Sequence, residues 1–267
     1  MIDHLNAIGA IALNTFRETV RERIIYAFML FAAAITVAAI MLGTLSIGQD
    51  IRILEDMGMA AISVIGGAIA LFTGTSLVYK ELERRTVYII FTKPVTGWQF
   101  ILGKYVGLSA CILIIVVAMG TFLSLLLWLS ANPAQAMFIH HAQMIAGPLM
   151  LVYLELLFVI ASATFFSTFA SPMMSVVFTL SLWLIGHFGD SLRSLGQMSQ
   201  NAGFTKFSQI VYLILPDLAS LTKTRSVLMY GQHAPVELIS YISCYVLGYV
   251  MLLLVLASIV TEKREFP

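Results

Sequence analysis

In 267 residues the chain carries 60% hydrophobic side chains and 11% charged ones, with a mean hydropathy of +0.93. That balance excludes an ordinary soluble domain and marks an integral membrane protein. A net charge of +1 gives no basic surface for a nucleic-acid partner. Cys111 and Cys244 fall inside apolar runs and read as small buried hydrophobes rather than as a disulfide.

Residues 1–23 come first. Ile2, Leu5, Ile8, Ala12, Leu13, Phe16 and Val20 share one helical face, with Asp3, Asn14, Arg17 and Arg21 opposite. Because this helix runs straight into an apolar stretch, the pattern predicts that it lies in the membrane interface, its arginines toward anionic lipid headgroups, rather than as a soluble helix packed on its own protein. Apolar runs then follow at 24–46, 59–79, 101–129, 144–169, 173–189 and 238–260. Each is about long enough to cross a hydrocarbon core near 30 Å at 1.5 Å per helical residue. The expected fold is therefore all-α with six transmembrane helices in a single domain over 1–267. The first run lacks a small-x-small cleavage site and is expected to stay as a span, while Gly186 interrupts the fifth.

Positive charge sets the orientation. With both termini inside, one side holds Arg17, Arg21, Arg23, Lys80, Arg84, Arg85, Lys93, Lys104, Lys263 and Arg264, which is ten of the fifteen Lys and Arg residues. The other five lie in the outer connections. The expectation is a multi-pass protein of the cell (inner) membrane with cytoplasmic N and C termini.

The inner connection over 80–98 is a charged elbow. Glu81 and Arg85 stand four apart in the favourable order, and Leu82, Tyr88, Ile89 and Phe91 give an apolar side. Pro94 forces a turn near Lys93, and Thr96 with Gln99 has the spacing of a capping box that opens the next helix. Such an elbow is either a docking surface or a topological anchor, and charge alone favours the anchor.

Within the spans, Glu155 is the carboxylate that stands out. At mid-helix it must face protein or water, so it is a candidate for substrate contact or for a bond to Ser, Thr or Tyr of a neighbouring helix, and the bond is the favoured reading. Gly66, Gly67, Gly74 and Ser76, with Ser162, Thr164 and Ser167, read as small-residue helix contacts. Met137, His140, His141 and Met144 have helical spacing and soft ligands suited to Cu(I), but a chain with 14 methionines places some beside histidines by chance. No metal site is expected. The outer loop, 190–237, is too long for a turn and predicts one or two helices on or dipping into the outer leaflet, serving as a lid, as a docking site for an outer accessory protein, or as shielding.

The stretch "ELERRTVYIIFTKPVTGWQFILGKYVG", with Glu83, Thr86, Pro94, Gly103 and Lys104 in order, resembles the segment between the second and third spans of ABC-2-type permeases. The resemblance extends to the entry helix "NTFRETVRERIIYAF", the six-span plan and "LPDL" at 215–218, and is closest to the copper-enzyme-maturation (NosY-like) permeases. It implies an ABC-2, type V exporter-like fold in which the elbow is a coupling helix seated on a separate ATP-binding subunit. Glu81, Arg84, Arg85 and Thr86 would then form the docking surface, while Tyr88 and Pro94, with Trp98, hold its shape. It also implies a homodimer, with a heterodimer with a second permease left open. No cofactor is expected on this chain, and ATP and Mg belong to the partner ATPase. The phosphate loop G-x-x-x-x-G-K-[ST] is missing, since Gly97 to Lys104 has five residues between its glycines and Tyr105 after the lysine. The rival readings are a stand-alone secondary carrier and an intramembrane enzyme using Glu155 with the His140/His141 pair.

Overall fold

The structure, a computed structural model, describes residues 2–43, 50–83, 96–130, 138–199, 216–229 and 235–263, with Gly203, Thr205, Lys206 and Ser208 besides. Eight helices are described: α1 (Ile2–Val20), α2 (Arg23–Gly43), α3 (Asp50–Glu83), α4 (Gly97–Ser130), α5 (Phe138–Ser167), α6 (Pro172–Met198), α7 (Ala219–Met229) and α8 (Val236–Lys263). Five contain stretches long and apolar enough to cross a membrane: Arg52–Ser76, Gly97–Leu129, Met144–Ser167, Pro172–Gly189 and Val236–Glu262. Where the sequence predicts the first span, α2 offers a shorter described apolar stretch, Phe28–Ala38.

Helix α5 is the axis of the bundle, packed against α3, α4, α6, α7 and α8. Its sequence explains the position. Phe158, Val159, Ile160 and Ala161 are consecutive and all at most 1% exposed, so every face of the helix is covered, as expected for a helix apolar all round. Small residues set the closest approaches. A Cβ at Gly74 on α3 would lie 2.8 Å from the Ala163 Cβ on α5, so these two helices pack with almost no side chain between them. The hydroxyls of Ser162 and Thr164 donate to the carbonyls of Phe158 and Ile160 at 2.9 and 2.8 Å, one turn back on their own helix. They satisfy themselves and leave the interface free to pack by shape.

Helix α1 lies along the first half of α4. Its contact face is Ile11, Ala12 and Thr15, which meet Gly103 and Gly107, and a Cβ at Gly107 would come within 2.5 Å of the Ala12 carbonyl oxygen. The opposite face, Asn6, Leu13, Asn14, Arg17 and Arg21, is exposed. Leu13 therefore departs from the expected apolar face and sits with the arginines, half-exposed. The helix is thus packed on its own protein, the alternative weighed from sequence, with its arginines on the exposed face. At the same end of the bundle, Gly97 at the start of α4 packs against Thr261 and Glu262 of α8.

Three expectations are corrected. Gly186 does not interrupt its helix, since α6 runs through it to Met198, and the missing side chain serves a contact described below. Helix α3 starts at Asp50, ahead of the apolar run, and extends to Glu83. Cys111 is buried as expected, but Cys244 is exposed on α8, and both are free thiols.

Candidate functional site

Glu155 stands at the middle of the Met144–Ser167 span and is 1% exposed. A carboxylate there loses its water, so it must gather donors from its neighbours. Four other side chains on three helices surround it. Ser63 on α3 donates its hydroxyl at 3.2–3.3 Å to the carboxylate oxygens. Trp183 on α6 donates its indole N–H to Oε1 at 2.8 Å. His187, one turn further along α6, places Nε2 3.3 Å from Oε1, and Arg225 on α7 places Nη1 3.9 Å from Oε2.

The spacing on α6 is the simplest part. Residues 183 and 187 are four apart and share a face, so their rings meet edge to face at 5.5 Å. The other nitrogen of His187, Nδ1, lies 3.0 Å from the Trp183 carbonyl oxygen. Both ring nitrogens therefore face oxygen acceptors, and the ring is held between its own helix and the carboxylate.

Arg225 is carried on α7, and the segment 216–218 explains how it is placed. The Leu218 N–H donates to the Gly186 carbonyl at 3.1 Å, and the Asp217 N–H donates to the Tyr245 hydroxyl at 3.2 Å. The Asp217 carboxylate accepts the Ser220 N–H at 3.2 Å, capping the first turn of α7. Leu218, fully buried, occupies the space left by the absent side chain of Gly186. Pinned to α6 and α8 in this way, α7 buries Ala219, Leu221 and Thr224 and turns Arg225 toward Glu155. Burial pulls the Arg225 guanidinium below its ordinary value, and the carboxylates of Glu155 and Asp56 oppose that pull.

Beside this cluster is a cavity of about 250 Å³. Its polar lining is Ser63, Trp183, His187, Thr222 and Arg225, and Ala60, Val64, Leu184 and Phe188 supply apolar wall. Glu155 itself stands behind that lining.

Sequence reasoning found Glu155 and its bond to a neighbouring serine, but not Trp183, His187 or Arg225. A signal existed for the first two. Glu155 lies 12 residues before the end of α5 and Trp183 lies 11 after the start of α6, so an antiparallel hairpin brings them to equal depth. Nothing local marks Arg225.

The remaining candidate residues lie elsewhere. Glu81 is in the last turn of α3, while Arg84, Arg85, Thr86, Tyr88 and Pro94 fall outside the described residues. At the exit of the elbow the Thr96 N–H donates to Gln99 Oε1 at 3.1 Å, one half of the capping box. His140 and His141 belong to the first turns of α5, with side chains outside those described, as is Met137, and Met144 is half-exposed. Among the described residues, no group of three or more His, Cys, Asp or Glu side chains could hold a metal ion.

A bundle with five helices long and apolar enough to cross a membrane, holding a polar cluster around Glu155, defines a multi-pass membrane protein. The chain matches the ABC-2 family transporter proteins over residues 9–262 and belongs to that family. It is the membrane component of an ABC transporter, a transport component and not an enzyme, and the carrier and intramembrane-enzyme readings give way to that assignment. None of the curated proteins compared with the chain matches it.

Proposed function

We propose that the chain is the permease of an exporter driven by ATP hydrolysed, with Mg, on a separate ATPase subunit. Two permease chains and two ATPases make the working assembly, as a homodimer or with a second permease, in the cell inner membrane with both termini cytoplasmic. The subfamily is that of the copper-enzyme-maturation permeases. The family match across residues 9–262 supports the permease part of this reading, and the resemblance of the motifs read from the sequence supports the rest. The coupling surface is Glu81, Arg84, Arg85 and Thr86, shaped by Tyr88 and Pro94.

Support for a coupling role comes from the surroundings of the elbow. One side of it is the long helix α3, which carries Ser63 of the mid-membrane cluster, and the other is the capped start of α4, braced by α1 and α8. A push on the elbow therefore reaches the cluster through rigid helices as a shift between packed arrangements, which is how a differential contact at one end changes the other. Glu155 is the residue of the substrate path most exposed to such a shift, because α3, α5, α6 and α7 all meet at its carboxylate.

The test is to express the tagged permease in its native cell, purify through the tag, identify any co-purifying ATP-binding-cassette ATPase, and reconstitute the complex in vesicles. Co-purification in equal amounts, with hydrolysis that depends on the permease, is the expected result. A permease that recovers no ATPase, or an ATPase indifferent to it, overturns the reading.

A further inference from the structure

We infer that the cavity beside Glu155 is a binding site for a single-chain amphiphile with an acceptor-rich, anionic head, entering laterally from the bilayer. The inference rests on the permease reading and names the class of ligand for that site.

Three observations carry it. The first is the lining chemistry. Arg225 is the cationic side chain in the cavity wall, and among the described residues no carboxylate lines it. Glu155 is behind the wall with its oxygens already accepting from Ser63, Trp183 and His187. A wall that presents a guanidinium and no carboxylate suits an anionic oxygen acceptor and disfavours an ammonium group.

The second is unused donor capacity. Arg225 stands 3.9 Å from Glu155, beyond hydrogen-bond length, so this ion contact leaves its fork of N–H groups open to a second acceptor. Asp56 is exposed and lies outside the lining. Thr222, three residues before Arg225 on the same helix, lines the same wall.

The third is the rim. Val64 and Phe188 are 58% and 61% exposed on the outside of the bundle while also lining the cavity, so the opening is apolar and faces where the acyl chains lie. At about 250 Å³ the cavity takes a small head and the first part of a chain, with the rest left among lipids. A second cavity of about 260 Å³, between α2, α3 and α4, has no charged side chain in its lining, which includes Ala33 and Thr36. It provides the comparison, with similar space and no donor fork.

To test this, the full-length permease alone is placed in phosphatidylcholine nanodiscs and titrated with radiolabelled laurate or with dodecylammonium, which has the same chain length and the opposite head. Laurate is expected to bind saturably, and dodecylammonium at least tenfold more weakly. Ala60→Phe, which fills the cavity, and Arg225→Gln should each weaken laurate at least tenfold, and Ala33→Phe in the second cavity should leave it unchanged. Because Arg225→Gln also disturbs Glu155 and can fail to fold, Ala60→Phe with an unaltered size-exclusion profile is the deciding variant. Equal binding of the two probes, or laurate binding undiminished by Ala60→Phe, overturns the site. The permease reading has a separate readout, so intact ATPase co-purification without saturable laurate binding rejects this inference alone, and loss of co-purification with intact laurate binding rejects the permease reading alone.

Discussion

Trp183 and Glu155, 28 positions apart in the chain, are joined by a 2.8 Å hydrogen bond from the indole N–H to carboxylate Oε1. The bond ties α6 to α5 at mid-membrane, where no water is at hand to replace it. Trp183→Phe keeps the ring's apolar surface and removes the donor. The expected loss is about 1–3 kcal/mol of stability, the range for a buried group stripped of its partner, read as an earlier thermal unfolding of the purified permease. Unfolding at the parent temperature would show that Ser63 and His187 suffice for the carboxylate.

Glu155→Gln separates the structural from the transport role. The amide oxygen can still accept from Trp183, but its NH₂ then meets donors, and Arg225 loses its counter-charge. The protein should fold and hold its ATPase while transport drops at least several-fold. If the variant transports normally in vesicles, the carboxylate only fastens helices together.

Gly186→Ala tests how the outer loop is held. A Cβ there would stand 2.8 Å from Leu218 Cδ1 and 3.1 Å from the Pro216 carbonyl oxygen, and a backbone atom cannot rotate away. Overpacking of this kind costs about 1–3 kcal/mol. Helix α7 should lift, and a cysteine pair bridging α6 and α7 should cross-link less completely than in the parent. Unchanged cross-linking would show that Leu218 repacks without moving α7.

Two glycines, Gly9 on α1 and Gly107 on α4 beneath it, should respond in opposite directions. Gly107→Ala drives a methyl into the Ala12 carbonyl and should loosen α1, seen as faster proteolysis of the first twenty residues. Gly9 faces open space, so Gly9→Ala should be neutral or stabilise α1 by up to about 1 kcal/mol through helix propensity. Equal protease resistance of both variants would count against close packing of α1 on α4.

For the elbow, Arg84→Ala combined with Arg85→Ala should leave membrane insertion near normal, because eight of the ten inner-side positive charges remain. If the pair sits in a partner's cleft, its removal costs about 2–5 kcal/mol of binding, and ATPase recovery on the tagged permease should collapse. Full recovery with normal hydrolysis would make the cluster a topological anchor.

How much of this could be read along the chain differs from element to element. The apolar runs foretold the long helices, because a hydrocarbon core demands length and hydropathy, both of which are local quantities. The capping pair Thr96–Gln99 was legible for the same reason, since its bond spans three residues. Gly186 was misread because glycine has two uses that look identical in sequence: it can break a helix or admit a neighbour, and only the position of Leu218 decides which.

The sequence by itself determined that the chain is a helical membrane protein and that Glu155 needed a partner. The tertiary structure alone decided which partners Glu155 has. Ser63, His187 and Arg225 lie 92, 32 and 70 positions from it, and no periodicity relates residues on different helices. Their meeting depends on how the helices pack and on the contacts of Asp217 and Leu218 that pin α7 to the bundle, where losing water makes every donor near that carboxylate count.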